Sequence, residues 1–405
     1  MMSLFYVIFV LMTAYFSFRY DGIEECDSHK QHRLWLVCGY LICLSGFSYG
    51  LGGDKFVYME EFENYPTNFS EVGDLIWYMF MLKGQMPLWT IVNLTAKVLF
   101  NSFYFVQLIE AAAINIAVCY IVSKYTHRYF LFLLVYFFTL QYFIFNTEVM
   151  REGFAMSFAL IGMHGWMTGK KWLYFVTVPI GFLFHVSIAT VLLFPLVKMK
   201  ISWKTLFVAF FISMGIWLLS DLVLVNIMMA VLGGMGAMVE KVLIYSIQAT
   251  TIFGFLRAAI TYIVFPFIIM YTSLQMEPSE EMKARKEKIM AFMVTLGVLA
   301  GAFAGFVRIY NYVQIFYLIM LTDFIYTLFS VKKLFIVKIG TLVGTLFLLF
   351  LQYRIYYKST DTYYYDFFFP YTCILDENQD VYIREIAHYE AVTGEETDNN
   401  VRKVD

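Results

Sequence analysis

The chain has 405 residues, 60% of them hydrophobic and only 15% charged, with a mean hydropathy of +0.67; soluble chains carry about a quarter charged residues. An ordinary soluble domain is thereby excluded. So is a nucleic-acid binder, because the net charge is −2 and no basic face or tail occurs. The expected class is an all-α, polytopic integral membrane protein, rich in the Phe and Tyr rings that suit lipid and its interfaces.

The five cysteines (Cys26, Cys38, Cys43, Cys119, Cys373) contain no CxxC pair, so neither a disulfide framework nor a thiolate metal site is expected. The six histidines are dispersed without HExxH or HxH, and no Walker, Rossmann or nucleophile-elbow motif occurs. No metal and no cofactor is expected. The N-terminal run lacks a basic leader and a small-residue cleavage site, and reads as a retained first span.

A bilayer span takes about 20 apolar residues. In chain order, spans are predicted at 3–18, 34–51, 99–122, 129–145, 153–167, 206–225, 255–270, 289–306, 312–330 and 334–351. The stretch 172–197 is interrupted by Pro179, Gly181 and His185, and reads either as one tilted span or as two half-helices.

Loop charge separates these two readings. Six loops hold 17 of the 29 Lys and Arg residues: Arg19/Lys30/Arg33, Lys124/Arg128, Lys170/Lys171, Lys198/Lys200/Lys204, Lys283/Arg285/Lys286/Lys288 and Lys332/Lys333/Lys338. If 172–197 enters and returns, all six fall on one side, which the positive-inside rule makes cytoplasmic; if it crosses once, three of them flip. A broken, re-entrant hairpin near His185 is therefore expected, with about 11–12 transmembrane helices in all, counting half-helices.

A single membrane domain, 1–352, then carries two outward segments, about 52–98 and 226–254. The first contains an interfacial helix near 71–82 with an apolar stripe of Leu75, Ile76, Met79, Phe80 and Leu82. The second includes Gly233, Gly234 and Gly236. The remaining segment, 353–405, is expected to be polar and disordered after about residue 376.

Three arginines stand apart from the basic loops, each near the outward end of a span: Arg151, Arg257 and Arg308. Each either snorkels to headgroups or meets an anion. Three on one face favour a phosphate-bearing lipid, since guanidinium grips phosphate oxygens bidentately. Carboxylates accompany them: Asp54 after Gly52-Gly53, Glu148 and Glu152 around Arg151, and Asp221. Each serves as a general base for a hydroxyl or as a counter-ion, and Glu152 reads as the counter-ion of Arg151. Glu110, Asn115 and Asp323 lie deeper and read as helix–helix contacts. His185 and Ser187 sit at the hairpin break, where unwound backbone is tolerated only beside protein or a cavity.

These landmarks resemble the EpsG family, related to the Wzy-type O-antigen and capsule polymerases. Residues 47–62 are similar to its Gly-x-Asp-x-x-x-Tyr-x-x-x-Phe pattern, with Asp54, Tyr58 and Phe62 in register. Pro87-Leu88-Trp89 with 101–107, Arg151-Glu152-Gly153-Phe154-Ala155, Phe184-His185-Val186-Ser187, Arg308-Ile309-Tyr310 and Pro370-Tyr371 resemble its later motifs in order, over roughly residues 1–375. Ser48 departs from the family's usual arginine, Met86 from a glutamate, and Glu152 from glutamine.

The resemblance implies a GT-C-like membrane glycosyltransferase of the bacterial cytoplasmic (inner) membrane. Its substrate would be an undecaprenyl-diphosphate-linked oligosaccharide, and a chain-length co-polymerase is a possible partner. On this reading Arg151, Arg257 and Arg308 steady the diphosphate, Asp54 or His185 assists the attacking hydroxyl, and Tyr58, Glu148, Ser187 and Tyr310 bind substrate. The rivals are a flippase for lipid-linked sugars, a membrane acyltransferase using His185, and a scaffold without catalysis.

Overall fold

The computed structural model describes residues 4–22, 28–52, 54–219, 251–330 and 367–376. The predicted span 334–351, the segment 226–250, Asp221 and the tail after 376 lie outside them. Among the described residues there is no strand; the β-type contacts reduce to one isolated bridge, Ser48 with Cys373. The helices are α1 (Leu4–Tyr20), α2 (Ser28–Gly46), α3 (Asp54–Glu63), α4 (Val72–Lys83), α5 (Pro87–Phe100), α6 (Phe103–Tyr125) and α7 (Tyr129–Phe138). They continue with α8 (Gln141–Glu148), α9 (Met150–Met167), α10 (Lys171–Phe182), α11 (Trp203–Leu219), α12 (Ile252–Gln275), α13 (Glu280–Ala302) and α14 (Asn311–Ser330).

Two of them, α6 and α12, are single helices long and apolar enough to cross a bilayer. The outer face of α11 bares Phe207, Val208, Phe211 and Ile212, and α1 bares Leu4, Leu11 and Phe18. Rows of exposed apolar side chains of this kind suit lipid contact and not water. With the long apolar helices they make this an all-helical membrane protein.

Several boundaries differ from expectation, each for a local reason. The expected span 129–145 is broken: α7 and α8 meet at 80° across Thr139 and Leu140, where Leu140 adopts a left-handed φ of 58°. The run expected from 99 is two helices, because Asn101 stops α5 in a left-handed conformation (φ 46°) and α6 starts afresh at Phe103. Helix α13 begins a turn or more before the apolar run, since the Ser279 hydroxyl accepts the Met282 N–H (3.3 Å) with Glu280 and Glu281 in the first turn. The helix expected near 71–82 is present as α4 (Val72–Lys83), while α3 and α5 are additional helices in the segment 52–98.

The hairpin is explicit. Helix α10 ends at Phe182, and a 3₁₀ segment, Val186–Leu193, returns beside it, so that the Tyr174 hydroxyl donates to the Val191 carbonyl at 2.9 Å. Tyr174 lies in the first turn of α10 and Val191 near the end of the return, so the two limbs run antiparallel. Gly181 permits the turn: a Cβ there would stand 2.5 Å from Ile188 Cδ1 and 3.1 Å from the Ala155 carbonyl oxygen.

As the hairpin requires, the basic loops among the described residues meet at one end of the bundle; Lys332, Lys333 and Lys338 lie outside the described residues. Lys30 Nζ donates to the His127 carbonyl (2.6 Å), Lys288 Nζ to those of Pro195 (3.4 Å) and Val197, and the Ile201 N–H donates to Glu287 (3.1 Å). Burial holds the Asp21 carboxyl, in the turn after α1, above the usual range, although Ser17 and the Phe130 and Leu131 N–H groups donate to it. A cavity of about 510 Å³ opens at this end. In it Lys286 pairs with Glu277 (2.6 Å) and Asp323 (3.0 Å), and Asp323 also accepts from Thr126 (2.5 Å). Asp323 is thus a helix–helix contact, but at the basic end and not in the middle of the bundle.

Two outcomes follow from the hairpin. Cysteines placed singly at Lys170 and Lys198, in a background without the native cysteines, should react with a membrane-impermeant thiol reagent from the same side; labelling from opposite sides would show a single crossing. Gly181→Val drives bulk into the α9 backbone and should cost about 1–3 kcal/mol or more, read as a lower unfolding temperature in detergent.

Candidate active site

Opposite the basic end, chain segments distant in sequence converge. Residues 367–376 fold back on the corner after α2: the Tyr49 N–H donates to the Thr372 carbonyl (2.9 Å), the Ile374 N–H to that of Phe47 (3.0 Å) and the Gly52 N–H to that of Phe367 (2.9 Å). The Tyr6 hydroxyl anchors the same segment through the Phe368 carbonyl (3.0 Å). The Asp54–Tyr58 pattern and the Pro370-Tyr371 pair therefore belong to one local structure.

That corner aims α3. Asp54 sits in its first turn, and the Asp54 N–H donates to Glu148 Oε2 at the end of α8 (3.3 Å). One turn on, the Tyr58 ring is wedged against Trp89 (centroids 5.4 Å apart) and lies under the Arg151 guanidinium, 5.3 Å from its centroid. Arg151 also lies in the electrostatic field of the Tyr58 hydroxyl, Glu61 and Asp54. Stacking on Tyr58 holds the planar guanidinium in one orientation. Its buried Nε finds no hydrogen-bond acceptor among the described residues.

A second group stands on α9, the hairpin and the start of α14. Glu152 is only 2% exposed; its Oε1 accepts from Asn311 Nδ2 (3.2 Å), while Oε2 has no partner among the described residues. The Tyr312 hydroxyl lies 2.7 Å from Ser187 Oγ, which lies 2.6 Å from His185 Nδ1. Arg308 is exposed, and its charge acts on both the Tyr58 hydroxyl and the Glu152 carboxyl.

The direct contacts thus fall into two sets, one of Asp54, Tyr58, Glu148 and Arg151 and one of Glu152, Asn311, Tyr312, Ser187 and His185, and with Arg308, whose charge acts on both, they make up the network at the end away from the basic loops. Two residues stand apart from it. Arg257 is exposed on α12, where its carbonyl accepts from Thr261, and no described contact of its side chain reaches the network. Tyr310 is buried with its ring against Tyr262 (5.3 Å), part of the packing between α12 and the segment before α14. Asn311 and Tyr312 were not anticipated, although they directly follow the Arg308–Tyr310 motif. Among the described residues no group of His, Cys, Asp and Glu is arranged to hold a metal.

Ser48, at the position where an arginine was expected, is buried and has another cation on it. Lys55 Nζ donates to Ser48 Oγ (2.8 Å) and to its carbonyl (3.3 Å), and Gln107 Nε2 donates to the carbonyls of Ser45 (2.6 Å) and Ser48 (2.9 Å). Lys55 therefore secures the corner and is buried away from any ligand.

The Asn311–Glu152 bond generates a paired outcome. Glu152→Gln keeps an acceptor for Asn311 and should shift stability by no more than about 1 kcal/mol, whereas Glu152→Ala strands the amide and should cost about 1–3 kcal/mol. Thermal unfolding of the two purified variants separates them.

Comparison with known proteins agrees with the motif order. The model of the EpsG family matches residues 34–373, which is most of the chain. No curated protein and no solved structure matches, so the GT-C likeness rests on the family resemblance alone. The stretch from α2 to the returning segment at 367–373, which contains every residue of the network, is what the family model covers, and the protein belongs to the EpsG family.

Proposed function

We propose that this protein is a polysaccharide polymerase that moves a growing glycan from undecaprenyl diphosphate onto a lipid-linked repeat unit at the outer face of the cytoplasmic membrane. Family membership supports polymerase-like glycosyl transfer, and the observation that carries the reading further is the Arg151 guanidinium, stacked on Tyr58 with a buried Nε that meets no acceptor among the described residues, together with the exposed Arg308, whose charge acts on Tyr58 and Glu152. Two guanidinium groups, one stacked and one exposed, suit a diphosphate whose charge grows as it departs.

In this reaction a hydroxyl oxygen of the acceptor sugar attacks the anomeric carbon of the donor. The bond from that carbon to the diphosphate oxygen breaks, and its electron pair leaves with the diphosphate. The hydroxyl proton passes to a carboxylate, for which Asp54 is the candidate, at the N-terminus of α3 beside Glu148. Arginines neutralise the leaving group without a metal ion. The broken hairpin also suits a flippase, since interrupted helices build transport sites.

The test is chain length in a deletion strain complemented with variants at normal protein level. Arg151→Ala and Arg308→Ala should each reduce polymer by on the order of a hundredfold, as removal of one charge-stabilising donor does. Arg257→Ala should stay within a few-fold of wild type. Single repeat units should accumulate on the lipid outside; accumulation inside identifies a flippase, and unchanged polymer length in the Arg151 and Arg308 variants refutes the assignment.

A further inference from the structure

His185 can assist a reacting hydroxyl as a base only if a ring nitrogen facing it lacks a proton. The surroundings of Nδ1 bear on this directly. His185 has extended backbone (φ −153°, ψ 131°) and caps the 3₁₀ return, so that the Ser187 N–H points at Nδ1 (3.4 Å) while Ser187 Oγ lies 2.6 Å from the same atom. A protonated Nδ1 would turn its hydrogen against the hydrogen of that backbone N–H. The two contacts together favour a lone pair on Nδ1, to which the Ser187 hydroxyl then donates its single hydrogen. With that hydrogen committed, the 2.7 Å contact to Tyr312 has one direction left: the Tyr312 hydroxyl donates to Ser187 Oγ.

We infer that Tyr312 and Ser187 hold His185 in the tautomer whose proton is on Nε2, which makes His185 a hydrogen-bond donor in the site and not the base. The order of donation is Tyr312 to Ser187 to His185 Nδ1, across α14 and the hairpin. Ser187 and Tyr312 are positioning residues, since they act on the imidazole and not on a ligand. A ring N–H in this position suits an oxygen that gains charge, such as a diphosphate oxygen, and the base role falls to a carboxylate. This donor role rests on the glycosyl-transfer reading; the tautomer does not.

The experiment is ¹⁵N spectroscopy of the full-length protein, labelled at histidine and reconstituted in lipid at pH 8, with the His185 signals identified by their loss in His185→Asn. Expected are an unprotonated Nδ1 and a protonated Nε2; a protonated Nδ1 overturns the inference. Ser187→Ala should give a mixture of tautomers and reduce polymer by on the order of tenfold to a hundredfold, and Ser187→Thr, which keeps the hydroxyl, should restore both. If Ser187→Ala leaves the tautomer unchanged, the proposed lock is refuted. If the tautomer behaves as expected but Ser187→Ala polymerises normally, the donor role fails while the lock stands. Loss of the polymerase reading itself leaves the spectroscopic result untouched.

Discussion

An uncompensated charge or open backbone group in hydrocarbon costs several kcal/mol, and this constraint arranges the rest of the molecule. Charged side chains therefore gather at helix ends, and two buried lysines take polar partners. Lys286 near the start of α13 takes Glu277 and Asp323, and Lys55 takes the carbonyl and hydroxyl of Ser48. The network of Asp54, Arg151, Glu152 and Arg308 lies with Lys55 at the end of the bundle opposite Lys286. The two ends differ in composition: the basic one ties loops together, while the opposite one joins arginines to carboxylates and tyrosines.

The same constraint explains why irregular backbone occurs where it does. The break between α7 and α8, the 3₁₀ return after His185 and the 3₁₀ turn Ala304–Tyr310 all abut protein at the end that carries the network. Each break redirects the chain so that a helix start points into the site: α9 begins with Arg151 and Glu152, and α14 with Asn311 and Tyr312. Helix starts carry partial positive charge from unmatched N–H groups, which favours an anion near them. Breaks in helices thus supply both polar backbone and the freedom to aim side chains.

Much of this was legible in the sequence because loop charge and apolar length are coarse, additive signals. The hairpin at His185 followed from the interruptions at Pro179, Gly181 and His185 together with loop charge, and its return limb is fixed by the Tyr174–Val191 bond. What was not legible depended on single residues. Leu140 is apolar and carries no turn signal, yet its left-handed conformation breaks an apparently continuous span. Helix α3 is short and mixed in composition, and the apolar α5 is too short for a span, so neither stood out from the loop around it. Tyr312 looked like one apolar ring among many until its hydroxyl was seen on Ser187. Arg151, Arg257 and Arg308 carried the same sequence signature, a lone arginine near a helix end; only the structure shows that Arg151 is partly buried and stacked on Tyr58 while the other two are exposed.

The balance of charge in the network argues for what it accommodates. Arg151 and Arg308 share their surroundings with Asp54, Glu61, Glu148 and Glu152, so the arginines do not form a bare anion trap. A free phosphate would gain two guanidinium contacts but meet several carboxylates at close range, which weakens its binding. A sugar diphosphate differs, because its hydroxyls donate to carboxylates while its phosphate oxygens accept from arginines. Tyr58 stands between these requirements, stacked under one arginine and within the field of the other and of Asp54. The mixture of charges is then a condition of specificity: it favours a ligand that brings donors and acceptors together and disfavours one that brings only negative charge.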